Sequence, residues 1–153
     1  GNFGVLVKAY SYIRSLGAEG LKKVAQNAVL NANYLRVCLH DKYNVPFDRI
    51  NMHEFVIKGE LPNGINAEDV AKGLLDRGLH APTIYFPLVI HEALMIEPTE
   101  TESKASLDEF IAAMLDIYEE SIKNPEYLKS APHSTLIGRL DATLAARKPI
   151  LHD

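Results

Sequence analysis

The amino-acid sequence predicts an α+β fold: a three-stranded antiparallel sheet with helices packed on one face. Three observations lead to it. Apolar residues recur at helical spacing in several separate stretches. Between them lie short β-prone runs, two of which are close enough to pair as a hairpin. The resulting order is helix, strand, helix, hairpin, helix, which suits a small sheet covered from one side.

Val5, Leu6, Ala9, Tyr10, Ile13 and Leu16 form the first helical stripe, and Gly17 is a natural stop. A longer helix is predicted from Ala18 to Lys42, with Leu21, Val24, Ala25, Ala28, Ala32, Leu35 and Leu39 as its apolar face. The alanines on that face point to close packing against another helix or a sheet. Cys38 lies beside the stripe and reads as a small core residue rather than a nucleophile. Asn44-Val45-Pro46 breaks this helix.

Met52 to Lys58 is short, rich in apolar residues and closed by Gly59, so a strand is predicted there. His53 within it reads as a core histidine. Pro62-Asn63-Gly64 is a turn. Asn66 caps the next helix, with Asp69 at the third position and Val70, Leu74 and Leu75 facing inward until Gly78. Thr83 to Ile90 and Ala93 to Ile96 read as an antiparallel hairpin turning at His91-Glu92. Pro87 assigns the first run to an edge or a bulge, because it has no N–H for the ladder.

Leu107, Phe110, Ile111, Met114, Leu115, Tyr118 and Ile122 mark the last strong helix. Ser106 and Glu109 make a capping box at its start, unless it begins a few residues earlier, and Asn124-Pro125 ends it. From Lys129 the pattern weakens. Leu136, Leu140 and Leu144 allow a short helix, and Ala131-Pro132-His133 and Lys148-Pro149 read as a tail lying over another surface. The expected division is a joining helix over 1–17, an α+β domain over 18–130 and a tail over 131–153.

A chain of 153 residues suits one domain, or one domain with an appendage. Its net charge of −4 argues against nucleic acid as a partner, since phosphate neutralisation wants a basic face. No apolar stretch reaches the ~20 residues a membrane helix needs, and no leader pattern precedes the first helix. The single cysteine fits a reducing interior, so the expected location is the cytoplasm. Gly1-Asn2-Phe3-Gly4 runs straight into Val5-Leu6-Val7, with no methionine before Met52. That opening reads as a piece of a longer protein.

Chemistry concentrates in LMIEPTETESK, residues 94–104, where an apolar run ends in Glu97, Glu100 and Glu102 with Thr99 and Thr101 around Pro98. The spacing lacks the glycine and alternating Asp/Asn of a calcium loop, so no metal site is expected. A general acid–base pair remains open, because a loop can converge carboxylates and shift one of them. So does a simpler reading, in which the carboxylates complement the positive end of the following helix. His53, His80, His91 and His133 are scattered, with no HExxH. Neither a glycine-rich phosphate loop nor GxSxG occurs. The residues by themselves describe a domain without a self-sufficient active site.

Four stretches also carry a family likeness. GNFGVLVKAYSYIRSLGAEGLKKVAQNAVLNANYL, MHEFVI, GLHAPTIYFPLVIHEALMIEPTETESK and SAPHS occur in this order. Together they resemble the C-terminal part of glycine decarboxylase, the P-protein of the glycine cleavage system, and subunit 2 where that protein is split. The likeness covers 1–134, and departs at His91-Glu92 and in the tail after Ser134. It implies the C-terminal small domain of an aspartate-aminotransferase-like (fold type I) enzyme that uses pyridoxal phosphate. It also implies glycine as substrate, lipoylated H-protein as acceptor, and a large cofactor-binding domain and subunit 1 as partners.

The family's cofactor-anchoring lysine follows a histidine, and no lysine here does. The resemblance therefore implies no catalytic residue in this chain. Thr83 and the loop of Glu97, Thr99, Glu100 and Thr101 are expected to border the substrate and cofactor cleft or the channel for the lipoyl arm, with His80 on the same rim. Two other classes compete. A stand-alone ferredoxin-like regulatory module would bind an amino acid beside Glu97, and an assembly element would dock a partner through the 18–42 helix.

Overall fold

The computed structural model describes residues 1–151. Helix α1 runs from Phe3 to Leu39, and the Asn2 side chain accepts a hydrogen bond from the Val5 amide at its start. Gly17 interrupts it with φ 63° and ψ −173°, a backbone geometry that side chains other than glycine's rarely allow. The two helices predicted from sequence are thus two arms meeting at a sharp break. The second arm stops at Leu39 rather than Lys42, where the Lys42 and Tyr43 amides both turn back to the Leu39 carbonyl.

Burial along α1 is uneven. Ala32, Leu35 and Leu39 enter the core, whereas Leu21, Val24 and Ala28 are half-buried and Ala25 is exposed. Only the last third of the helix contributes buried residues to the core. The first arm leaves its apolar side open, with Phe3 80% and Tyr10 65% exposed.

Strands β1 (Phe55–Lys58), β2 (Thr83–Ile84) and β3 (Ala93–Ile96) form one sheet in the order β1-β3-β2. Both pairings are antiparallel, with Phe55 opposite Ile96 and Thr83 opposite Met95. β1 is shorter than predicted. Continuing its register would set Glu54 against Glu97 and His53 against Pro98, a like-charge pair followed by a residue with no N–H to give. Instead Asn51 is tied to α1, its amide donating to Asn33 Oδ1 at 3.0 Å and its carbonyl accepting from Asn33 Nδ2 at 2.7 Å. His53 is therefore exposed, not the core residue expected.

The hairpin is also revised. β2 was expected to reach Ile90 but ends at Ile84, because Tyr85 takes a left-handed φ of 60° and Pro87 follows. Residues 85–92 form the connection, not His91-Glu92 alone. Glu92 has a second role: its Oε2 accepts the Ala67 amide at 2.8 Å, capping α2 (Ala67–Asp76). The predicted Asn66/Asp69 capping box is present beside it. Leu75, expected to face inward, is only half-buried.

Helix α3 spans Lys104–Lys123, and its cap is Ser103 rather than Ser106, which donates its own amide to the Ser103 hydroxyl at 3.1 Å. Leu107, Met114 and Ile117 supply its buried stripe. Ile122 is 49% exposed because Ser121 takes the inward position at the helix end. Asn124-Pro125 ends α3 but also opens α4 (Pro125–Ser130), with proline in the first turn where its missing N–H costs nothing. The short helix expected around Leu136 to Leu144 lies instead at α5 (Ala142–Arg147), capped by Asp141. Leu136, Leu140 and Leu144 are exposed.

One core lies between the sheet and the helical layer, built on Leu35, Tyr43, Phe55, Ile57, Leu94 and Met114. Each such side chain contributes about 1.5–3 kcal/mol by leaving water. The tail is fastened to α2 at two points. Asp76 accepts the Ser134 amide at 2.7 Å, and Arg139 Nη1 donates to Asp69 at 2.6 Å.

Candidate functional site

β3 delivers the chain from the core to Glu97-Pro98-Thr99, which forms a wall between two cavities. The first, of about 310 Å³, is lined by Glu97, Pro98 and Thr99 with Leu79, His80 and Pro82 before β2. Leu35, Leu107 and Phe110 make its apolar floor, and Glu102 and Ser106 stand at the start of α3. The second, of about 300 Å³, lies on the other side of the wall, against Ala25, Ala28 and Val29 of α1 with Met52 and His53. Glu97 and Thr99 border both, and Glu100 borders the second.

The three carboxylates diverge. Glu97 Oε1 lies 3.7 Å from His53 Nε2. Glu100 Oε1 accepts the Tyr12 hydroxyl at 3.0 Å, and that bond holds the phenol above its usual range. Glu102 stands over the first cavity, its amide closing a turn to the Thr99 carbonyl at 3.2 Å. The same carbonyl accepts Asn31 Nδ2 at 2.9 Å. Among the described residues no group of three or more His, Cys, Asp or Glu side chains is arranged to hold a metal ion. The side chain that accepts an amide at the start of the following helix is Ser103, whose hydroxyl receives the Ser106 N–H.

Of the residues singled out from sequence, the fold gathers His80, Glu97 and Thr99 around the first cavity and Glu100 onto the second. Thr101 lines neither, its hydroxyl sharing a 2.7 Å hydrogen bond with Thr99. Thr83 is also outside both. Its neighbour Ile84 packs on the core, so alternation turns Thr83 to the sheet face away from the helices.

Sequence reading missed Tyr12, Asn31, Met52 and His53 as neighbours of this loop. Asn31 left no clear signal, because a polar side chain beside an apolar helical stripe is equally served by water or by its own helix. Tyr12 left none. Neither cavity lining includes a lysine amine to hold an aldehyde or an arginine to hold a phosphate. These walls do not fit pyridoxal phosphate as its anchoring site. Each lining instead offers two carboxylates, one histidine and one or two hydroxyls, which suit a neutral or cationic group.

Residues 24–135 match the family model described as glycine dehydrogenase, C-terminal domain. The chain belongs to this family. Other glycine dehydrogenase sequences agree along nearly all of it. It is 60% identical to the probable glycine dehydrogenase (decarboxylating) subunit 2 of Fervidobacterium nodosum, in a match taking in 98% of this chain and 32% of that protein. The corresponding protein of Listeria innocua is 56% identical, across 99% of this chain and 31% of its own length. The chain thus spans about a third of the glycine dehydrogenase relatives it matches.

That near-complete coverage includes the tail, which sequence reading had set apart from the family after Ser134. A solved structure, glycine decarboxylase (P-protein) of the glycine cleavage system in inhibitor-bound form, aligns with a TM-score of 0.61 and 25% identity. It covers 70% of this chain and 24% of that one. The glycine dehydrogenase C-terminal domain thus has the sheet and one-sided helical layer that the sequence predicts. Among the described residues no helix is long and apolar enough to cross a membrane.

Proposed function

We propose that this chain is the C-terminal part of a decarboxylating glycine dehydrogenase, of the subunit 2 type, acting in glycine cleavage. The observation that carries the reading is 60% identity across nearly the whole chain to a protein of that name which is about three times as long. The longer enzyme decarboxylates glycine with pyridoxal phosphate held by residues outside this chain. It passes the aminomethyl group to the lipoyl arm of H-protein, works with subunit 1, and is cytoplasmic. This chain alone is inactive.

Within that enzyme, residues 1–17 join the domain to the rest, 18–130 form the small α+β domain and 131–153 form the tail. The open apolar side of the first α1 arm supports this, because such a surface is normally covered. His80, Glu97, Thr99, Glu100 and Thr101 form one rim of the cleft, and Thr83 stands on the adjoining sheet face. Their part is to shape the rim and to favour a cationic or neutral group over an anionic one, since Glu97 and Glu102 share a cavity lined by no lysine or arginine.

The test is glycine–bicarbonate exchange by the longer protein assembled with subunit 1, with and without lipoylated H-protein. Exchange is expected from the longer protein and none from residues 1–153. Glu97→Gln is expected to reduce it and Thr83→Ala to change it less. The reading is overturned if the longer protein shows no exchange, or if the isolated chain turns yellow with pyridoxal phosphate and decarboxylates glycine.

A further inference from the structure

The wall between the two cavities has no secondary structure of its own. Residues 97–103 follow the last pair of β3 and precede α3, and Pro98 withholds an N–H from any ladder. Two side chains from α1 hold it. Asn31 Nδ2 donates to the Thr99 carbonyl at 2.9 Å, and the Tyr12 hydroxyl donates to Glu100 Oε1 at 3.0 Å. These donors sit on opposite sides of the Gly17 break. A straight helix would separate residues 12 and 31 by about 28 Å along its axis, so both reach one short loop because the helix is broken between them.

We infer that Tyr12 and Asn31 are positioning residues, which set the place of the Pro98–Glu100 wall and so the shape of both cavities. The first arm bears an apolar side, Phe3, Leu6 and Tyr10 among it, and the Tyr12 link to the wall. Whatever seats that arm therefore reaches the wall through the Tyr12 hydroxyl. The Asn31 link belongs to the part of α1 beside the buried Ala32 and ties the same wall to the core. Its Thr99 carbonyl also receives the Glu102 amide, so the turn into α3 depends on the same atom. The functional half of this inference rests on the glycine dehydrogenase reading; the structural half does not.

The structural half is tested by hydrogen–deuterium exchange on the 153-residue chain. Tyr12→Phe is expected to speed exchange of the Glu102 amide, which donates to the Thr99 carbonyl, about threefold to tenfold, the worth of one hydrogen bond, with exchange in β1 and β3 unchanged. Asn31→Ala is expected to do the same. Glu100→Gln keeps the acceptor oxygen and is expected to stay within about twofold of the parent. Unchanged exchange in both Tyr12→Phe and Asn31→Ala overturns the inference.

The functional half is tested in the longer protein. Tyr12→Phe is expected to raise KM about twofold to tenfold and leave kcat nearly unchanged, because a less populated wall lowers apparent affinity without altering the bound state. A KM unmoved by Tyr12→Phe overturns the link to the site. Absence of activity in the parent longer protein instead overturns the function reading and leaves the exchange result to judge the positioning.

Discussion

The Tyr43 hydroxyl donates a hydrogen bond to the Met114 carbonyl over 2.7 Å, joining the turn after α1 to the middle of α3 inside the core. Tyr43 is 1% exposed, and its ring meets the edge of Tyr118. Burial pushes the Tyr43 phenol well above its usual range. A raised folded value favours the protonated form, so the stabilisation is complete below about pH 10, the unfolded phenol's range, and is lost as pH climbs beyond it. Tyr43→Phe is expected to lose about 1 kcal/mol at neutral pH and to flatten the alkaline decline. Denaturant midpoints at neutral and alkaline pH check both.

Gly59 closes β1 where α2 begins. A Cβ built on it would lie 2.5 Å from the Ala67 Cα and 3.0 Å from the Ala67 nitrogen, both main-chain atoms that cannot swing aside. The same close approach lets the Gly59 amide donate to the Glu92 carbonyl at 2.7 Å, beside the Glu92 cap on α2. Gly59→Ala is expected to destabilise by about 1–3 kcal/mol, the usual cost of overpacking. Ala67→Gly is expected not to rescue it, since the clash is with the backbone. Thermal midpoints of the single and double variants decide this.

At the C-terminal end of α2, Asp76 Oδ1 receives the Ser134 amide at 2.7 Å and the Ser134 hydroxyl at 2.9 Å. Burial works against this carboxylate, but the Ser134 and His133 amides and the Ser134 hydroxyl outweigh it and hold the group below its usual range. A lowered folded value means the stabilisation is complete above about pH 4 and is lost as pH falls through the folded value. Asp76→Asn is expected to keep the tail attached at neutral pH, through its remaining carbonyl oxygen, and to remove this acid dependence. Amide exchange at residues 133 and 134 across the acid range is the measurement.

Arg139 secures the tail at the other end of α2. Its Nη1 donates to Asp69 at 2.6 Å and to the Lys129 carbonyl at 2.7 Å, while Nη2 lies 3.5 Å from Glu68. Asp69 is 3% exposed and keeps only the Asn66 amide as a side-chain partner if the guanidinium goes. Arg139→Ala is expected to cost about 1–3 kcal/mol and to speed proteolysis of the segment after residue 139. Arg139→Lys is expected to recover part of the loss, because a single ammonium cannot fork between the carboxylate and the carbonyl.

Much of this protein was legible in its local patterns. The Asn66/Asp69 capping box, the Gly17 break and the short apolar run that Gly59 closes each follow from forces acting within a few residues. The misplaced boundaries share one cause. Met52 to Glu54 look like strand, but a strand needs a partner, and Glu97-Pro98 opposite them offers a like charge and a missing N–H. Residues 85–90 look like strand for the same reason, until Tyr85 turns left-handed. Ser106 makes an acceptable cap, yet Ser103 lies one turn nearer the loop and takes the role.

By itself the sequence determined most of the elements, their order and the sheet they make, because propensity, periodicity and capping act over one or two turns of chain, and its four longer stretches carried the family resemblance. Tertiary structure alone decided that Glu97 faces His53, that Glu100 meets Tyr12, and that Thr83 stands outside both cavities. Those placements depend on the angle at Gly17 and the register of β3, and both are set by packing between segments as many as 88 residues apart. No spacing along the chain encodes such a distance, so only the fold brought Glu97 and Glu102 to one cavity and Glu100 within reach of Tyr12.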